Sequence, residues 1–173
     1  MPSALLTSLA SRLADADELA LLAGSASGTA EQASARASVV LMHAAFEGFV
    51  EDLFRECAGL LVNAADVVLN PLRERPLARF NNPTLPNVDD LFEAVGLSNI
   101  TTGVQWTGTD EQTVRSDFGQ IKTIRHQVAH GTGVPTVPAP LLSRYRDVII
   151  GVAAWLDDRV ADFVKSVTGT QPW

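Results

Sequence analysis

Between residues 121 and 131 the chain reads IKTIRHQVAHG, a stretch that holds Lys122, Arg125, His126 and His130, and with them two of the three histidines in the protein. An imidazole takes up and returns a proton near neutral pH. A guanidinium grips phosphate through a rigid fork of N–H donors. Together these are the parts for cutting RNA without a metal. One group removes the proton from a ribose 2′-hydroxyl, which attacks the adjacent phosphate. Another protonates the leaving oxygen, and a cation stabilises the crowded phosphorane. His126 and His130, four residues apart, could also face a metal in a hydrolase. No His-Glu-x-x-His pattern accompanies them, and a third ligand would have to come from elsewhere. The expectation is therefore no metal and no cofactor.

These side chains need a helix that stops at the right place. Phe118, Ile121, Ile124 and Val128 recur at intervals of three and four, which predicts a helix from about Asp110 to Ala129 with those four as its buried stripe. Lys122, His126 and His130 then form a strip along the edge of the stripe, with Arg125 between strip and stripe. Thr109 or Asp110 is placed to cap the start, and Gly131 to end the helix.

Around it the sequence predicts a first helix over 4–22 and a long, proline-free second helix from about Glu31 to Leu69, stopped by Asn70-Pro71. Val39, Met42, Phe46, Phe49, Leu53 and Cys57 share one arc of the second helix, with Leu60 and Leu61 at its far end. His43 falls inside that arc, and Glu47 sits one turn on at its edge. A buried histidine satisfied by a nearby carboxylate is the expectation there, with support of the motif as the alternative. A short helix capped by Asn87, with Asp89 and Asp90 in its first turn, ends at Gly96; a last helix covers about 139–167. Trp106 lies in a loop and is expected to plug the core, with stacking on a base as the alternative. The predicted fold is all-α: an antiparallel bundle of about five helices in a single domain over 1–173.

The totals bound the partners. A net charge of −7 opposes broad electrostatic adhesion to nucleic acid or to anionic membranes, so any RNA contact needs a local basic patch. Cys57 is the single cysteine, which excludes an internal disulfide and suits a reducing, cytoplasmic setting. The first residues do not read as a signal peptide, and no uncharged apolar run is long enough to span a bilayer.

Arg125-His-Gln-Val-Ala-His130 matches the arginine, four-to-six residues, histidine motif of HEPN domains, and RHQVAHG closely resembles the HEPN ribonucleases of toxin and phage-defence systems. AAFEGFVEDLF is similar to the family's long second helix with its acidic residue, and DDLFEAVGL resembles the segment preceding the motif in the RiboL-PSP and MAE-type HEPN groups. The resemblance spans about 31–165. It implies a homodimer through the motif helices, a composite cleft with two arginines and two histidines, and metal-independent RNA cleavage. By that resemblance Arg125 and His130 are catalytic, and His126, which takes a polar position often held by asparagine, is counted with them as a catalytic candidate. Glu47 is the acidic residue that orients the motif, with His43 and Lys122 supporting. An antitoxin or partner defence protein is implied as the control. The competing expectation, favoured by the acidic charge, is a non-catalytic HEPN-like dimerisation or binding module.

Overall fold

The arc of apolar residues on the second helix is the spine of the molecule. In the computed structural model, which describes residues 2–61, 75–81 and 83–173, six helices follow one another among the described residues. They are α1 (Ala4–Arg12), α2 (Ala14–Ser25), α3 (Gly28–Leu61), α4 (Leu85–Glu93), α5 (Glu111–His130) and α6 (Pro140–Thr168). No strand is present among them, only an isolated bridge between Trp106 and Thr109. The expected end of the second helix at Leu69, with Asn70-Pro71, lies outside the described residues.

Pairs of contacts fix the directions. Arg12 bonds to Asp52, and Ser38 donates to the Ala16 carbonyl, so α1 and α2 run antiparallel to α3. Ser3 N–H bonds to Asp157 and Arg146 to Asp17, which sets α6 antiparallel to α1 and α2. One continuous core joins the elements, with Phe46, Phe49 and Phe54 of α3 meeting Phe92, Phe118 and Tyr145. Phe54 meets Phe92 edge to face at 5.7 Å, and Phe46 meets Phe118 at 5.0 Å.

Four sequence expectations are corrected. The first helix is interrupted at Leu13, whose N–H still bonds to Leu9 while its carbonyl receives Asp17. The interruption lets Leu9, Leu13, Ala16 and Ala23 all bury themselves. The short helix begins at Leu85, because the Thr84 hydroxyl accepts from Asn87 N–H at 3.2 Å and caps it three residues earlier than Asn87 would. Asp89 does not serve the first turn: its carboxylate takes both the N–H and the hydroxyl of Thr101, each at 2.8 Å. Val128 is exposed rather than part of the buried stripe, since the α5 core contacts end with Ile124. Trp106 is half-buried and packs over Gly151 of α6, where a β-carbon would come within 2.6 Å of its ring. It plugs the core, and glycine is what admits it.

Candidate active site

Helix α5 is built to hold its last turn at a defined place. The Asp110 carboxylate caps its start by accepting from Thr113 N–H at 2.8 Å. Phe118, Ile121 and Ile124 are buried against the bundle. Asp117, almost fully buried, receives Arg144 at 2.6 Å, and the Tyr145 hydroxyl donates to Gln120 at 2.9 Å, which ties α5 to α6. Gly131 ends the helix in the left-handed region, at φ 62° and ψ 22°, and donates its N–H to the Gln127 carbonyl. Thr132 N–H bonds the same carbonyl. The following loop is pinned to α3: the Gln32 amide donates to the Val137 carbonyl and accepts from its N–H, and Arg36 bonds Pro135. Sequence patterning missed Gln32, Arg36 and Asp117 as positioning residues, because polar contacts across 105, 99 and 27 residues leave no local periodic signal.

His130 is the last residue of α5, and its ring lies 4.5 Å from that of His126, tilted by 49°. Both are exposed. Arg125 is half-buried and has no hydrogen bond or ion pair among the described residues; the same holds for half-buried Lys122. Elsewhere Arg12, Arg115, Arg144 and Arg146 are each matched to a carboxylate. The end of α5 thus offers unneutralised positive charge beside two imidazoles, a place where an anion would be held and a proton moved. Among the described residues no three of His, Cys, Asp and Glu come together as a metal-binding group.

His43 of α3 is fully buried with its ring 6.5 Å from that of Phe118, and its partner is a backbone carbonyl rather than a carboxylate. Nε2 lies 3.1 Å from the Pro83 carbonyl, which only accepts, so Nε2 carries the proton; Nδ1 has no partner among the described residues. Burial lowers the His43 pKa to about 4, the Pro83 bond opposes the shift, and the nearby Arg125 guanidinium adds to it. His43 is therefore a neutral neighbour of the motif arginine. Glu47 lies one turn further along α3, half-buried. Cys57 is buried, which pushes its thiol up to about 12 and leaves it inert packing.

The depressed His43 pKa fixes a direction for stability. The unfolded chain takes up this proton near the ordinary histidine value and the folded one only near pH 4. Stability is therefore complete above about pH 6.5 and lost as pH falls toward 4, by about 3 kcal/mol over that window. Urea unfolding at pH 7 and pH 4 should show that loss in the parent and not in His43→Leu. Equal acid sensitivity in both would remove His43 as its source.

None of the helices among the described residues is long and apolar enough to cross a membrane. No curated protein and no solved structure matches the chain significantly. A model of the RiboL-PSP-HEPN family matches residues 7–162, from α1 into the last turns of α6. With the match running through nearly the whole helical bundle, the chain belongs to the RiboL-PSP-HEPN family, a HEPN-type domain.

Proposed function

We propose that the protein is a metal-independent endoribonuclease that acts as a homodimer, in the role of a toxin or phage-defence effector. HEPN domains are generally ribonucleases or nucleotide-binding modules, and this reading takes the first branch. The observation that carries it is Arg125: a half-buried guanidinium with no carboxylate partner among the described residues, in a chain of net charge −7, one turn or so from the paired rings of His126 and His130. In the proposed reaction Arg125 holds the phosphate and neutralises the charge that builds on it. One protomer's His130 takes the proton from the 2′-hydroxyl, and the other protomer's His130 gives a proton to the 5′-oxygen as the P–O bond breaks. His126 orients the His130 ring. Val128 and Val134, exposed beside the motif, supply an apolar face for the second copy. An antitoxin or partner defence protein would restrain the activity by covering that end of α5.

The acidic net charge favours a second reading, a non-catalytic dimerisation or binding module. RNA incubated with the protein in EDTA, alongside a measurement of mass in solution, separates the two. Cleavage by a species of twice the chain mass supports the ribonuclease. An intact dimer that cuts no member of a varied RNA panel supports the module.

A further inference from the structure

We propose that a groove beside the motif helix seats the nucleotide adjacent to the cut, so that the substrate must be unpaired there; this rests on the ribonuclease reading above. The groove has a volume of about 250 Å³ and lies between the start of α4 (Thr84, Leu85, Pro86) and one face of α5 (Phe118, Gly119, Lys122), with Arg115 at its end. Its surface is mainly apolar. Leu85 and Phe118 are buried and form the floor. Gly119 is exposed at the groove, and a β-carbon there would meet nothing within 4 Å, so a long side chain at this position has open space to extend into.

The charge on the groove comes from Lys122. Arg115 is already engaged by Glu111 and the Thr101 carbonyl, whereas Lys122 has no hydrogen bond or ion pair among the described residues. A flat apolar floor with an unmatched ammonium at its edge suits a nucleobase with its phosphate, and a flat π-face stacks regardless of base identity. Lys122 precedes His126 by four residues, about 6 Å along the axis, which is the reach of one nucleotide. The Thr84 hydroxyl oxygen accepts from Asn87 N–H, which leaves its proton to donate to a ribose or base oxygen. A base held in a duplex cannot leave its stack to enter the groove without being unpaired first.

The test uses the full chain carrying His130→Ala, which binds without cutting, and a fluorescent single-stranded RNA of about 12 nucleotides. Gly119→Leu fills the groove and Lys122→Gln removes its charge; Gly119→Ala and helix content by circular dichroism control for folding. Each variant is expected to weaken binding about tenfold. Lys122→Gln should also reduce the slope of log affinity against log salt by about 0.7, and Gly119→Leu should leave it unchanged. The same RNA annealed to its complement should bind more weakly. If both variants bind as the parent does while the wild type still cuts RNA in a His130-dependent way, the groove assignment is wrong and the ribonuclease reading stands. If the wild type neither binds nor cuts any RNA, both fall together.

Discussion

On the proposed mechanism, His130→Ala and Arg125→Ala are each expected to lower single-turnover RNA cleavage by about 10²–10⁴-fold while leaving the bundle folded. The magnitude follows from the proposed roles, in which His130 moves a proton and Arg125 meets charge that exists fully only in the transition state. Neither side chain is expected to cost much stability. His130 is exposed, and Arg125 makes no hydrogen bond or ion pair among the described residues. Arg125→Ala should make the protein slightly less sensitive to acid, because the guanidinium is one of the causes that disfavour protonation of His43. The double variant should be no worse than about the poorer single one, since groups that act on one phosphate do not contribute additively. Arg125→Lys should restore only part of the rate, as a point charge lacks the planar fork. Rates within about threefold of wild type for both alanine variants would take the chemistry away from this helix end.

Phe118→Ala destabilises the protein by about 3–5 kcal/mol, a large share of the roughly 5–15 kcal/mol that holds a domain folded. Phe118 is almost fully buried, meets Phe46 edge to face at 5.0 Å, and shares the interior with His43. The loss falls on the contact that seats α5 on α3. Urea unfolding measures it directly; Phe118→Leu, which keeps most of the volume, should cost about 1 kcal/mol. A cost below about 1 kcal/mol for the alanine variant would mean that α5 is anchored elsewhere, at Ile121 or through the Asp117–Arg144 pair.

The features legible in the sequence are those written locally. The 3.6-residue rhythm of α3 and α6, the Asp110 cap and the Gly131 stop are each set by residues within one or two turns, and the all-α bundle follows from them. The Arg125–His130 spacing is local too, so the motif could be found without coordinates. The features that were not legible are long-range or depend on where the core ends. Val128 keeps the period of its stripe yet emerges from the bundle, because periodicity reports a face and not how far a neighbour covers it. The capture of Asp89 by Thr101 and the choice of Pro83 over a carboxylate for His43 were decided by partners distant in the sequence. Lys122 was visible as a cation, but its groove required α4 to be brought alongside α5.

The measurement that bears most directly on the proposed chemistry is the identity of the new RNA ends made by the wild-type protein in EDTA. Attack by the neighbouring 2′-hydroxyl leaves a 2′,3′-cyclic phosphate on one fragment and a 5′-hydroxyl on the other, and a single 2′-deoxy substitution at the cut site blocks the reaction. A 3′-hydroxyl paired with a 5′-phosphate, or cutting that proceeds unchanged through the 2′-deoxy position, would contradict the account.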